Sequence, residues 1–387
     1  MAEIKPLRAL HYDLEVTGPL QDLATPPYDV IDPMQREMLA TRSPYNAVHV
    51  DLPEGGEDVY ETAAGHLAQW LQAGALVRDD EDALWAIVQE YTSPSGESLT
   101  RRGLFARVRV EEYGAGKIRP HERTHPGPKE DRLRLTRATQ ANLSPIFSLY
   151  DDPAGAAWRA LKPFLHESQR FAEISDEDGT FTRLWRIADP DAIAKVQAAL
   201  EPSELLIADG HHRYETARVY ADEIGGEGDH RYVLMCLVAL QDDGLTVFPT
   251  HRLIKDTTPE TQQALRATIE EHFDIEEITT TALRPPDGEG PLTMGFYDRR
   301  NEKAYRLTLK DQAIVRGPSP SGGRSAVVEI SSMSKCSSIV ARRACWVSGV
   351  VSLMSRWVGN TVRPSSWSAT RHMRTYRWSP SPPTSSA

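Results

Sequence analysis

Cysteine and long apolar runs are both scarce in this chain. Its three cysteines, Cys236, Cys336 and Cys345, show no paired spacing, which argues against a disulfide framework and against a cysteine-based zinc site. No apolar run is long enough to cross a bilayer, and the start lacks the charged, apolar and small-residue pattern of an export leader. We therefore expect a cytoplasmic protein that does not span a membrane.

Basic charge is also scarce, except at the end of the chain. Residues 316–387 contain ten of the 44 lysines and arginines but only one of the 55 acidic residues. Residues 1–315 consequently carry a formal charge of about −20, and they show no basic helix-turn-helix pattern. This charge argues against nucleic acid as a partner.

Residues 316–387 differ from the rest of the chain in composition as well as charge. They hold eighteen serines, half of the eight tryptophans and two of the three cysteines, without a helical or strand period. One interpretation is a disordered basic tail, but ordinary disorder is not enriched in tryptophan and cysteine. We favour a shifted reading frame in this segment, which leaves residues 1–315 as the folded body.

Hydrophobic periodicity predicts helices and strands together in the folded body. Residues 57–73 have apolar side chains at helical spacing. Residues 83–91 and 104–110 read as the two strands of a hairpin, and residues 232–240 and 245–248 as those of a second hairpin. Hairpins with intervening helices predict an α+β fold with a mixed sheet and flanking helices, not a doubly wound parallel sheet.

The most informative segment joins an apolar run to a dense polar cluster. Leu205–Ala208 has the composition of a buried strand, and helical spacing resumes after the polar residues. Between the two stand Asp209, Gly210, His211, His212 and Arg213. This order predicts a strand, a tight turn at the glycine and a helix that starts with two imidazoles and a guanidinium.

A helix start of this kind is suited to binding an anion. Unpaired N–H groups and the positive end of the helix dipole favour phosphate or carboxylate there, and Arg213 and both histidines add donors. Asp209 could hold a metal ion or accept a proton in these surroundings. The alternative is structural: Asp209 caps the helix, and the histidines hydrogen-bond to loop backbone.

Residues 117–150 form a second polar concentration, which predicts that the site has two halves, at 117–150 and 205–255. His121–His125 matches the His-Glu-x-x-His pattern of zinc proteases, but flanking prolines restrict any helix there to about one turn, which argues against that chemistry. Glu122 is a better candidate as a Mg²⁺ ligand or general base, with a loop salt bridge as the alternative.

A basic helix is predicted to follow Glu122. Lys129, Arg132, Arg134 and Arg137 could neutralise phosphate groups through charge-assisted hydrogen bonds. A solvated charged helix face is the competing interpretation. Two polar segments flanked by proline, residues 25–30 and 249–253, could be turns or walls of a site.

The polar motifs taken together resemble the DUF1015 family of prokaryotic proteins. The resemblance covers residues 1–315 and rests on Pro26-Pro27-Tyr28-Asp29-Val30, Pro120-His121-Glu122, Lys129-x-Asp131-Arg132-Leu133, Arg137-Ala138-Thr139-x-Ala141-Asn142, Ser144-Pro145-Ile146-Phe147, residues 208–217 and Pro249-Thr250-His251-Arg252. Residues 316–387 depart from the folded C-terminal segment that family members carry.

A more distant similarity implies a function. Gly210-His211-His212-Arg213 followed by Ala217 resembles the Gly-x-x-Arg box of the ParB and sulfiredoxin superfamily, whose members hold nucleotide phosphates on this turn and include kinases of free L-serine. The resemblance implies a ParB/sulfiredoxin-like nucleotide-binding core, with ATP or ADP and Mg²⁺ as cofactors.

The leading hypothesis is therefore a nucleotide-dependent phosphotransferase acting on a small hydroxylated metabolite such as L-serine. Gly210, His212 and Arg213, with Lys129, Arg132 and Arg137, would bind the nucleotide. Asp209, His211, His212 and Glu122 would be catalytic, and Asp209 or Glu122 would hold Mg²⁺. The runner-up is a ParB-like nucleotide-binding switch that turns over no metabolite and associates as a homodimer. A hydrolase with a histidine base ranks last, because no Gly-x-Ser-x-Gly elbow is present.

Overall fold

The computed structural model describes two compact units of the chain. The first ends at Thr246, and the second contains the described residues from Ile254 to Asp311. The ranges described are 2–55, 58–93, 96–113, 116–121, 126–175, 179–246, 254, 258–283 and 291–311. The anomalous segment 316–387 lies outside them.

The first unit combines strands and helices along its whole length. Its strands are β1 (Ile4–Lys5), β2 (Leu10–Tyr12), β3 (Leu76–Arg78), β4 (Leu84–Thr92), β5 (Ser98–Arg109), β6 (Ile118–Arg119), β7 (Ile146–Tyr150), β8 (Arg170–Ser175), β9 (Phe181–Ile187), β10 (Leu205–Asp209) and β11 (Tyr232–Ala239). Its α-helices are α1 (Leu14–Thr17), α2 (Leu20–Leu23), α3 (Pro33–Arg42), α4 (Val48–Asp51), α5 (Val59–Gln72), α6 (Pro126–Thr139), α7 (Ala156–Leu161), α8 (Pro190–Leu200) and α9 (His211–Ile224). Short 3₁₀ helices span Tyr28–Val30, Lys162–Phe164, Glu167–Gln169 and Asp229–Arg231.

Nine of these strands form one mixed sheet. Its order is β6-β10-β7-β11-β5-β4-β9-β8, and β1 pairs with β5 beside this path. The pairs β6/β10 and β7/β11 are parallel, and the other neighbours are antiparallel. The α+β class, the mixed sheet and the flanking helices are thus as predicted.

One predicted hairpin is confirmed and the other is wrong. β4 and β5 pair antiparallel as consecutive strands, as predicted from residues 83–91 and 104–110. β11 instead pairs with β5 on one side and β7 on the other. Both edges of β11 are therefore occupied, and β11 has no free edge for the predicted hairpin partner. Leu245 and Thr246 are not in a strand, and residues 247–248 lie outside the described part of the chain.

Helix α8 shows how the local sequence forms the helices that cover the sheet. Asp189 caps it by accepting a hydrogen bond from the Ala192 backbone N–H at 2.8 Å, and Pro190 occupies the first turn. Its buried apolar residues recur at helical spacing and join the core that the central strands line. The core therefore lies under the same strands that lead to the polar turn at Gly210.

The described part of the second unit has a three-stranded antiparallel sheet, one α-helix and a short 3₁₀ helix at Thr280–Ala282. It contains α10 (Pro259–His272), β12 (Phe273–Ile278), β13 (Thr293–Asp298) and β14 (Lys303–Leu309), in the strand order β12-β14-β13. Ile269 and Phe273 pack with Leu307 and Leu309 to form its core. None of the helices that the structure describes, in either unit, has the length and apolar composition needed to cross a bilayer.

Candidate functional site

The candidate site is built around the turn between β10 and α9. Gly210 has φ +97° and ψ +26°, the left-handed conformation that favours glycine. The strand, the turn and the helix start at His211 are all as predicted. The pairing of β10 with β7 shifts register between Ile207 and Asp209. Such an irregularity re-aims side chains, and it lies just before the turn.

Arg213 reaches back across this turn. One Nη2 N–H donates to Asp209 Oδ2 at 2.6 Å, and Nη1 donates to the carbonyl oxygen of Pro145. A Cβ added to Gly210 would lie 3.2 Å from the guanidinium carbon. The glycine therefore serves two needs: it adopts the positive φ and it leaves room for the arginine.

A pair of histidines joins the two halves of the predicted site. β6 runs parallel to β10, so residues just beyond their carboxyl ends meet at one edge of the sheet. The His121 backbone N–H donates to Nε2 of the buried His211 at 3.2 Å, and the two rings pack edge to face at 4.3 Å. His121 Nδ1 lies 2.6 Å from the carbonyl oxygen of Ile207.

These contacts assign the protons of both rings. Because a carbonyl oxygen only accepts hydrogen bonds, His121 Nδ1 must carry a proton. His211 Nε2 accepts from a backbone N–H, so neutral His211 carries its proton on Nδ1. His211 is 2% exposed, which makes it a part of the floor of the turn, whereas the next residue, His212, is half-buried.

The segment that carries Tyr28 and Asp29 forms a further wall. The Arg132 guanidinium lies 4.0 Å from the centre of the Tyr28 ring. Burial raises the Tyr28 pKa to about 12, against the opposing charges of Arg213 and Arg132. Loss of hydration, and then the negative charge of Asp209, raise the pKa of the Asp29 carboxyl, while Arg213 opposes the shift. Asp29 nevertheless keeps exposed surface.

Arg132, predicted to bind phosphate, is buried in a hydrogen-bonded cluster. Its Nη1 lies 3.0 Å from Asp51 Oδ1, and its Nε donates to Asp131 at 2.7 Å. Ser144 Oγ donates to the second Asp51 oxygen at 3.1 Å. Arg132 and Asp51 are 6% and 3% exposed. The structure therefore places Arg132 beneath Tyr28, where it supports the wall instead of facing solvent.

Two other basic candidates, Lys129 and Arg137, belong to α6. Both contact α9 beyond its first turn. Arg137 pairs with Glu223 at 2.5 Å. Glu223 is twelve residues after His211, which corresponds to ~18 Å along the helix axis. The Lys129 carbonyl accepts a hydrogen bond of 3.5 Å from Thr216 Oγ1, so its backbone lies against the second turn of α9. The structure does not bring Arg137 to the Gly210 turn.

Several predicted site residues lie outside the described part of the chain. They are Glu122 and residues 249–253. His121 precedes Glu122 directly and contacts His211. Across the residues that are described, no group of three or more histidines, cysteines and carboxylates is arranged to hold a metal ion. The negative charges of Asp209 and Asp51 both raise the pKa of Asp29. Mg²⁺ in phosphate sites commonly takes only one or two protein carboxylates.

Asp29 and His121 were absent from the predicted set of site residues. Both occupy motifs noted in the sequence, Pro26-Pro27-Tyr28-Asp29-Val30 and Pro120-His121-Glu122. The signal that would have identified them is a titratable residue within two positions of a proline in a polar segment. The proximity of His121 to the turn follows from the pairing of β6 with β10, which is a long-range property.

Comparison with known proteins gives one match. Residues 4–331 match the family described as "Protein of unknown function (DUF1015)". No curated protein and no solved structure matches the chain. Because the matched region spans most of the chain and includes every segment of the candidate site, the chain belongs to the DUF1015 family.

Proposed function

We propose that the Gly210 turn binds the phosphate groups of ATP or ADP and that the protein transfers a phosphoryl group to a small hydroxylated metabolite, with L-serine the first acceptor to test. The observation that carries the proposal is the position of Arg213. Two anchored contacts hold its guanidinium over the N-terminus of α9, at the end of a buried strand. The helix N–H groups and the guanidinium each favour an anion at this end of α9.

The hydrogen bonds of Arg213 support this proposal further. A guanidinium has five N–H donors. Within the described residues, one donor goes to Pro145 and one to Asp209. The remaining three donors are left for a ligand or for water, while the two fixed contacts set the plane of the group. An arginine that is held in this way loses little conformational freedom when it binds phosphate bidentately.

The proposed reaction assigns separate tasks to the residues of the turn. The acceptor oxygen forms a bond to the transferred phosphorus, the bond from phosphorus to the nucleotide breaks, and the hydroxyl proton moves to a carboxylate. Arg213, His212 and the first N–H groups of α9 stabilise the phosphoryl charge. Asp209 or Glu122 accepts the proton, or would hold a Mg²⁺ ion that would neutralise phosphate charge. His211 positions the loop that carries His121.

Phosphorus NMR provides the test. Full-length protein is incubated with Mg²⁺, L-serine and either ATP or ADP, and the expected result is a new phosphomonoester signal. Arg213→Ala should abolish the signal and weaken nucleotide binding without lowering the melting temperature greatly. Arg159→Ala is the matched control, because Arg159 also follows an N-terminal left-handed glycine, on α7, and is exposed.

The other outcomes distinguish the alternatives. Nucleotide binding that drives dimerisation, with no phosphorylated product from any hydroxylated acceptor, would favour the ParB-like switch. An Arg213→Ala variant that binds nucleotide as tightly as the wild type would refute the assignment of the turn.

A further inference from the structure

The carbonyl that anchors Arg213 is itself connected to a chain of buried contacts. Arg213 Nη1 donates to the oxygen of Pro145. The preceding residue, Ser144, donates from Oγ to Asp51 Oδ2 at 3.1 Å. Asp51 accepts a further hydrogen bond at Oδ1, from Arg132 Nη1 at 3.0 Å. Ser144, Asp51 and Arg132 are 8%, 3% and 6% exposed, so water competes little for these hydrogen bonds.

Asp51 gives this chain a fixed end. It is the last residue of α4, and its backbone carbonyl accepts from Arg132 Nη1 at 2.9 Å. Arg132 lies on α6 and is shared with a second carboxylate, Asp131, to which its Nε donates at 2.7 Å. One carboxylate oxygen of Asp51 is thus bound by a guanidinium, and the other accepts from Ser144. Asp51 therefore ties α6 to the segment that enters β7.

The Ser144 hydroxyl matters because a proline follows it. Proline has no backbone N–H, so residue 145 cannot be fixed by a hydrogen bond from its own nitrogen. On its C-terminal side, Ile146 is held by the pairing of β7 with β11. On its N-terminal side, Ser144 Oγ makes the contact to Asp51. The direction of the Pro145 carbonyl is thus set by the sheet on one side and by Ser144 on the other.

We propose that Ser144 is a positioning residue for the phosphate site. Through Asp51 it holds the Pro145 carbonyl, which is one of the two contacts that set the plane of the Arg213 guanidinium. This inference rests on the proposed binding of nucleotide phosphate at the turn. A guanidinium binds phosphate bidentately only in a fitting orientation. Loss of a supporting contact therefore weakens binding even when the arginine itself is intact.

The first test observes Arg213 directly, in the full-length protein without nucleotide. Its Nε–Hε signal in a proton–nitrogen NMR spectrum is identified by its loss in Arg213→Ala. Ser144→Ala should shift this signal, because the guanidinium changes its orientation.

Ser203→Ala is the matched control and should leave the Arg213 signal in place. Ser203 is also a buried serine in the segment before a strand, and its Oγ donates to the Asp151 carbonyl at 2.6 Å. It precedes β10, which runs antiparallel to β7, so it lies at the opposite end of these two strands from Ser144.

The second test measures the affinity for ATP or ADP by calorimetry with Mg²⁺ present. Ser144→Ala should weaken binding at least about threefold, as is usual for neighbours in one hydrogen-bond network, and Ser203→Ala should not. In the Arg213→Ala background, Ser144→Ala should weaken binding no further, since the serine acts through the arginine. An unmoved Arg213 signal, full affinity in Ser144→Ala, or equal losses with and without Arg213 would overturn the proposal.

Failure of the proposed function gives a different result. A wild type that binds neither ATP nor ADP would refute the phosphate site. In that case, a shift of the Arg213 signal in Ser144→Ala but not in Ser203→Ala would still establish that Ser144 orients the guanidinium, and an unmoved signal would refute that as well.

Discussion

Replacement of Gly210 by alanine tests whether the phosphate site depends on the geometry of the turn. The backbone at this residue has φ +97°. An added Cβ would stand 3.2 Å from both Cζ and Nε of Arg213, which is closer than ordinary contacts. The variant therefore imposes two separate costs: backbone strain at residue 210, and displacement of the arginine.

Gly155 is a matched position at which alanine would cause the same backbone strain but would not displace an arginine. Gly155 also begins a helix in the left-handed conformation, at φ +63°, but its added Cβ would meet the nearest atom, Arg159 Nη1, at 3.8 Å. Left-handed backbone costs an alanine about 1–2 kcal/mol. Each kcal/mol lowers the melting temperature of a unit of this size by about 2–4 °C. Both variants should thus melt a few degrees below the wild type.

Nucleotide affinity separates the two variants. Displacing Arg213 removes hydrogen bonds to a charged ligand, worth about 1.5–3 kcal/mol, so Gly210→Ala should weaken ATP or ADP binding by about tenfold or more. Gly155→Ala should bind as the wild type does. Isothermal titration after matched thermal melts measures both quantities. If Gly210→Ala loses stability but keeps full affinity, then the position of Arg213 is irrelevant to binding, and the reasoning fails.

Three further substitutions have expected outcomes. Arg132→Ala should cost about 3–5 kcal/mol in denaturant unfolding, because it leaves the buried Asp51 without its cation. Arg137→Ala should change neither stability nor nucleotide affinity in the same assays, since its partner Glu223 lies at the far end of α9; a loss of affinity would contradict the site. Asp29→Asn should raise the melting temperature at neutral pH. The raised Asp29 pKa contributes stability below the ordinary value of 3.8, and this contribution is lost as the pH rises through the raised pKa. The rise in melting temperature caused by Asp29→Asn should therefore vanish in acid. A rise that persists in acid would refute the ionisation of Asp29 as its cause.

Local patterns in the sequence predicted the local parts of the site. The apolar run, Gly210 and the helical spacing after it defined β10, the turn and α9, because each of these features depends on neighbours in the chain. The helix carrying the basic residues was predicted for the same reason. Asp29 was predicted only as part of residues 25–30, a segment that could be a turn or a wall of a site.

Long-range pairing could not be predicted in the same way. Residues 245–248 follow β11 with strand-like composition, yet β5 and β7 occupy both edges of β11. Arg132 and Arg137 lie five residues apart on one helix, and sequence alone did not distinguish them. One is buried against Asp51, and the other pairs with Glu223 on the surface. Which partner each arginine meets depends on how α6 packs against the rest of the first unit.

Strand direction explains why distant segments meet at this turn. β6 is parallel to β10, so His121 follows a strand that ends at the same edge as Asp209. β7 is antiparallel to β10, so its start, rather than its end, reaches that edge and presents the Pro145 carbonyl to Arg213. The segments after β6, before β7 and after β10 are far apart in the chain, but they meet at the Gly210 turn. A substitution that disturbed the register of β7 would therefore move an Arg213 anchor and leave Asp209 on its own strand, which makes the Pro145 contact the part of the site most dependent on the sheet.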